Sequence, residues 1–355
     1  MRVQARSLYW FFVGANLLAA AGAGGAFSAD LAIYDLTKGD VINVSSNRFR
    51  EIVLDASPRR STFLTLTRLG DPKLIMRERN ADGVLLSEVQ LPIFHSGYAW
   101  PEWIKLSPDR KRAFFWSSST KGLSLLSLES FREKELMRNV CQSDTFILLM
   151  GWVSDDTVLV VLGESRPREF GEGLRPKPGP TQGRVLKINV NSGKVETFVR
   201  PVGSACHDHA LSESRQLLAI AEDDRPNRVT LLDVQTMKPL KQLPPVATDQ
   251  WVGSIHWCDQ DRSLALWNVG DAVYLYSMST EEARRITQRK DTTMFLHGSV
   301  GRYVLLRQAP GQPRSRAQYF LHDVTTKKRS VLPAGINGRV FGIANNTRLV
   351  MQVGY

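Results

Sequence analysis

The sequence predicts an all-β fold, a seven-bladed β-propeller of four-stranded antiparallel blades whose ring closes by pairing the N-terminal strands with the C-terminal ones. Three observations predict it. A strand, turn and strand unit recurs along the 355-residue chain at intervals of about 46 residues. Each unit is followed by a second pair of strands around another polar turn. The chain opens on the second half of a unit and closes on the first half, so the two ends together supply one complete blade. Four short strands at this period define a propeller, and a shared closing blade removes the exposed edges of an open sheet.

The best-preserved unit is WIKLSPDRKRAFFW, from Trp103 to Trp116. Proline fixes its own φ, so Pro108 suits the first corner of a type I turn, while Ser107 and Asp109 can hydrogen-bond the local backbone. Weaker copies are centred on Ser57, Val153, Ser212, Cys258, Gly298 and Ala344. The second strand pairs are clearest in VLKINVNSGKVETF from Val185, VTLLDVQTMKPLKQL from Val229, VYLYSMSTEEARRI from Val273 and YFLHDVTTKKRSVL from Tyr319. Asn189, Asp233, Ser277 and Asp323 align at the entry to their turns. LAIYDLTKGDVINV, from Leu31 to Val44, matches only third and fourth strands, and Arg339 to Val353 matches only first and second. One unit is lengthened by GESRPREFGEGLRPKPGPTQG, Gly163 to Gly183, whose Pro, Gly and charge content marks a surface insertion within a single domain spanning 29–355. Loops between second and third strands share a face with the connections between blades. That face also receives Arg307 to Arg316 and Pro92 to Trp100.

Residues 1–28 carry Arg2 and Arg6, an apolar run from Leu8, and small residues before Ala29. This is the layout of a secretory signal peptide, which implies a periplasmic or secreted protein. The run is also long enough for an uncleaved anchor, the one way a membrane enters this reading, and mitochondrial presequences share its lack of acids. The net charge of +11 falls to +9 without Arg2 and Arg6. The remaining cations are scattered, which points to solubility rather than to a nucleic-acid surface and leaves room for weak contact with anionic lipid or polysaccharide. Three cysteines, Cys141, Cys206 and Cys258, do not make a disulfide framework. A Cys141 to Cys206 bridge and three isolated thiols both fit.

LSPDRKRAFFW, with the tails DLTKGDV and VNSGKVE, resembles the repeats of TolB-like and WD40-like periplasmic propellers. The likeness extends over the repeats of 29–355, although only the Ser107 unit keeps Ser-Pro-Asp and the Gly-His and Trp-Asp pairs of WD40 repeats are missing. The resemblance implies the fold. Propellers serve as scaffolds, receptors, lyases and dehydrogenase subunits, so function must come from the site.

Two groups of residues are candidates. Trp100 and Trp251 lie outside the apolar strand cores, and with Arg175, Lys177, Arg307, Arg314 and Arg316 they give the insertion-bearing face the aromatic and cationic character of a surface for a protein or peptide. His207, Asp208, His209 and His297 lie on or near first strands, which line the central channel, and are the ligand set for a divalent metal if the protein is instead a lyase or an amine-dehydrogenase-type subunit. Strand alternation sets His256 apart from them. No P-loop, nucleophile elbow, Cys-x2-Cys pair or haem-attachment motif is present. The sequence therefore predicts an exported binding scaffold without a cofactor.

Overall fold

The computed structural model describes residues 29–45, 51–57, 60–68, 74–91, 104–117, 120–140, 145–164, 183–199, 206–222, 228–244, 252–268, 272–287, 294–308, 317–333, 336–345 and 347–354. These form seven antiparallel four-stranded sheets. The first described strands are β1 (Ala29–Asp35) and β2 (Val41–Ser45), the outer half of the closing blade, blade 7. Blade 1 is β3 (Glu51–Ser57), β4 (Thr62–Arg68), β5 (Leu74–Asn80) and β6 (Leu85–Leu91). Blade 2 is β7 (Ile104–Leu106), β8 (Arg112–Ser117), β9 (Gly122–Ser127) and β10 (Glu133–Met137). Blade 3 is β11 (Thr145–Trp152), β12 (Thr157–Glu164), β13 (Gly183–Asn189) and β14 (Val195–Val199). Blade 4 is β15 (Cys206–Leu211), β16 (Leu217–Glu222), β17 (Arg228–Asp233) and β18 (Pro239–Leu243). Blade 5 is β19 (Val252–Cys258), β20 (Ser263–Asn268), β21 (Val273–Ser277) and β22 (Ala283–Arg285). Blade 6 is β23 (Met294–Val300), β24 (Tyr303–Gln308), β25 (Gln318–Asp323) and β26 (Arg329–Val331), and β27 (Ile336–Asn345) and β28 (Arg348–Gly354) complete blade 7.

The ring closes as the half-units at the ends require. β1 pairs with β28 from Ala29↔Gly354 to Asp35↔Arg348. Each first strand lies beside the first strand of the next blade, β27 beside β3 included. The core is divided in the same way, into seven apolar clusters, one in each interface between neighbouring blades. Trp152 and Trp257, each 5 % exposed or less, are the wedges of two interfaces. The indole of Trp152 donates to the Lys105 carbonyl of the preceding blade at 2.8 Å, and that of Trp257 to the Ala210 carbonyl at 2.9 Å.

The turns follow from single residues. All seven third strands end on Asp, Asn or Ser: Asp35, Asn80, Ser127, Asn189, Asp233, Ser277 and Asp323. Each side-chain oxygen accepts a backbone N–H two to four residues on, among them Thr37 at 2.8 Å, Ser192 at 2.9 Å and Thr236 at 2.7 Å. This is the side-chain mimic of a turn that makes Asp, Asn and Ser turn residues. In the first-hairpin turn, Ser107 Oγ donates to Asp109 at 2.5 Å and accepts from the Arg112 amide at 3.0 Å; Ser212 accepts from Leu217 in the same way.

The structure corrects three details. In blade 6 the residue equivalent to Ser107 is Val300, not Gly298, because a two-residue turn, Gly301-Arg302, replaces the longer one. Gly301 has φ 53° and its absent Cβ would lie 2.7 Å from Ile343, so glycine fits the shortened turn on both counts. In blade 7 the equivalent residue is Asn345, which pairs with Arg348, rather than Ala344. Bulges interrupt most first strands, and His207 and His297 are themselves the extra residues in β15 and β23. Alternation counted along an unbroken strand therefore does not report which way these histidines point.

Hydrogen bonds hold several turn carboxyls below the ordinary aspartate range: Asp35 mainly through the Thr37 hydroxyl, Asp156 through Ser154, and Asp233 through the Thr236 amide. A group whose folded pKa is depressed stabilises the fold above its unfolded pKa, about 3.9 for aspartate, and loses that contribution as pH falls through the folded value. Thermal melts are expected to be flat from pH 7 to about 5 and to drop progressively below about 4. The drop should be shallower in Asp35→Asn; an unchanged acid profile in that variant would remove Asp35 from the account.

Candidate functional site

Of the residues predicted from sequence, Trp100, Arg175, Lys177, Trp251, Arg314 and Arg316 lie outside the described residues. So do Cys141 and Trp103. Cys206 opens strand β15, and Cys258 is a buried free thiol that burial pushes up to about 12, an inert core residue.

The histidine group occupies three different blades. His209 is buried in β15 of blade 4. Asp208 spans two blades: one carboxyl oxygen accepts the His209 amide at 2.9 Å and the other the Ile255 amide of blade 5 at 2.7 Å. A carboxylate so placed ties neighbouring first strands together. His256 in blade 5 lies 3.2 Å from Ser254 Oγ, and burial pushes its pKa down to about 4, so it is neutral near pH 7. His297 is exposed in blade 6 and its ring meets Tyr319 edge-on at 5.4 Å. Among the described residues no three His, Cys, Asp or Glu side chains gather as metal ligands would.

The repeat itself locates a different irregularity. The fifth residue of every second strand pairs directly with a residue of the third strand, in the half of the blade toward the face on which second strands end. In five blades both partners are apolar: Leu66↔Met76, Trp116↔Leu123, Val161↔Val185, Ala221↔Val229 and Trp267↔Val273. Blade 7 has Gln352↔Leu31. Blade 6 alone has a charge there, in Arg307↔Tyr319. In three blades the packing shows that this rung faces the following blade: Leu66 and Met76 pack toward blade 2, Val161 and Val185 toward blade 4, and Tyr319 toward blade 7. Arg307 thus puts a charge into a seam on a rung that is apolar in five other blades.

Its environment is incomplete. Arg307 is half-buried, its Nε is shielded from water, and that atom has no hydrogen-bond partner among the described residues. An N–H donor left unmade away from water costs free energy, and a repeat that breaks its own packing pattern does so at functional or strained positions. Burial raises the Tyr319 hydroxyl pKa and outweighs the opposing charge of Arg307, so the phenol is a donor near pH 7. The structure therefore brings together Arg307 from the cationic set and His297 from the histidine set, with Tyr319 between them. Sequence reading missed Tyr319. The signal was present in the aligned third strands, where YFLHDV has tyrosine at the place of valine in VLKINV, VTLLDV and VYLYSM.

No protein-family model matches the chain, and no curated protein matches it in sequence. Solved structures do. Oligogalacturonate lyase from Vibrio parahaemolyticus is similar over 94% of this chain and 98% of its own, at 11% identity and a TM-score of 0.60. An oligogalacturonate lyase in complex with manganese covers 93% and 96%, at 11% identity and a TM-score of 0.59. Dipeptidyl peptidase 4 from Porphyromonas gingivalis is similar over 87% of this chain, at 14% identity and a TM-score of 0.52, and the match spans about half of the peptidase, 51%. At such identities the likeness establishes the fold alone. The chain is a seven-bladed β-propeller, in keeping with the superfamily-level resemblance of its repeats.

Proposed function

We propose that the protein is an exported, non-catalytic binding propeller that captures a protein or peptide on its insertion-bearing face. The observation that carries this reading is the Arg307↔Tyr319 rung, a charged and phenolic pair where the repeat has apolar ones. The sequence adds support: residues 309–316, with Arg314 and Arg316, join Gln308 directly to Ala317, and the 165–182 insertion leaves β12 toward the same face. β1 also begins on this face, at Ala29 opposite Gly354. A retained N-terminal anchor would therefore turn the face toward the bilayer, and a cleaved one would leave it open in the periplasm or outside the cell.

Replacing Arg314 and Arg316 together with Glu should abolish most partner capture in pull-downs of the exported protein, read by mass spectrometry. Unchanged capture would remove the face from the account. The enzyme reading rests on the full-length match to lyases and on the histidine group; a stoichiometric divalent metal in purified protein, lost in His209→Ala, would favour it over the binding reading.

A further inference from the structure

We infer that the seam between blades 6 and 7 is an oxyanion site, in which Arg307 and Tyr319 receive a carboxylate or phosphoryl group of the partner and His297 borders the entrance. The inference rests on the binding reading above and adds the chemistry of the group recognised. Four observations carry it. Arg307 alone puts a charge on a rung that is apolar in five blades. The guanidinium forms no ion pair or hydrogen bond with any described residue, and its Nε is both shielded and unpartnered. The cross-strand neighbour, Tyr319, adds a second donor of neutral charge. His297, the bulged residue of β23, is exposed and packs edge-on against that ring, so the buried phenol has a solvent-facing neighbour.

Guanidinium presents a planar fork of donors and accepts nothing, so an anion with two or more acceptor oxygens is the group that completes it. Chloride offers no such pair. A cation is repelled, and an apolar side chain would leave the Nε donor unmade. Carboxylate and phosphoryl groups share the required chemistry and differ in charge and oxygen number, so the two are separated by direct comparison.

The test uses the full chain, ¹⁵N-labelled, with the arginine Nε–H signals followed by NMR while sodium acetate or inorganic phosphate is added at ionic strength held constant with sodium chloride. The signal absent from Arg307→Met identifies the residue. Expected is a saturable shift of that signal with acetate, phosphate or both, the lower saturating concentration naming the preferred anion. Arg307→Lys, which keeps the charge and loses the fork, should weaken the effective anion roughly tenfold. Arg307→Met restores the apolar pattern of the other blades, so its melting temperature should equal or exceed that of the unaltered protein, and a folding failure will not be mistaken for loss of the site. The absence of a saturable shift with either anion overturns the inference. If capture falls in the Arg314/Arg316 variant yet survives Arg307→Met, the oxyanion assignment fails and the binding face stands. A saturable shift with capture unaffected by any of these variants keeps the anion site and overturns the protein-partner reading.

Discussion

Replacing Trp257 with alanine is expected to destabilise the protein by about 3–5 kcal/mol, the largest loss from any single side chain considered. Trp257 is 5 % exposed and belongs to the cluster that joins blades 4 and 5, with Ala210, Leu231 and Leu264 among its members. Its ring fills the interface and its indole N–H satisfies the Ala210 carbonyl at 2.9 Å. Truncation opens a cavity and orphans a buried acceptor together. Trp257→Phe separates the two effects, because it keeps most of the apolar volume and removes only the donor; about 1–2 kcal/mol is expected. Denaturant midpoints at unchanged slope measure both. A loss below about 1 kcal/mol in Trp257→Ala would mean that the blades are held together elsewhere.

The architecture was legible because a propeller writes its period into turn residues. Ser107, Pro108 and Asp109 mark one hairpin, Asn189, Asp233, Ser277 and Asp323 mark another, and each does so through a local hydrogen bond or a fixed φ that needs no tertiary information. The half-units at Leu31 to Val44 and Arg339 to Val353 disclosed the closure for the same reason. What local rules do not carry is register inside a strand. The two-residue turn at Gly301-Arg302 and the bulges at His207 and His297 each shift the count of residues without changing composition.

That gap explains the partial reading of the site. Arg307 was visible as one cation among several on a loop-rich face, and His297 as one histidine among several near the channel. Nothing in their spacing joins them, since they lie on different strands and His297 occupies a bulge. Tyr319 reads as an ordinary strand aromatic until it is aligned with Met76, Leu123, Val185, Val229 and Val273. A repeat protein offers its own internal control: the other blades state what a position requires for packing, so the blade that departs from it has another use for the residue.

The same internal control makes the second large prediction differential. Arg110→Ala should cost about 2–3 kcal/mol, whereas Arg215→Ala, at the same turn position two blades on, should cost nothing or stabilise slightly. Arg110 reaches from blade 2 into blade 1, with Nε 2.8 Å from Asp55, and Nη1 2.8 Å from Thr62 Oγ1 and 3.0 Å from Glu78. Its side chain is 7% exposed, while those of Asp55 and Glu78 are 36% and 32% exposed, so solvent screening keeps the loss below the 3–5 kcal/mol of a wholly buried pair. In blade 3, which Arg215 faces, Gly151 and Lys187 occupy the positions of Asp55 and Glu78. Arg215 forms no ion pair with a described residue, and burial lowers its pKa, outweighing the opposing charges of Asp55 and Asp155. One arginine is thus a staple between blades and the other a desolvated charge. A double-mutant cycle of Arg110→Ala with Asp55→Ala should return a coupling of about 1 kcal/mol or more, and the matching cycle of Arg215→Ala with Asp55→Ala a clearly smaller one. Equal losses at the two arginines would show that the turn itself, rather than the facing acids, makes the residue matter.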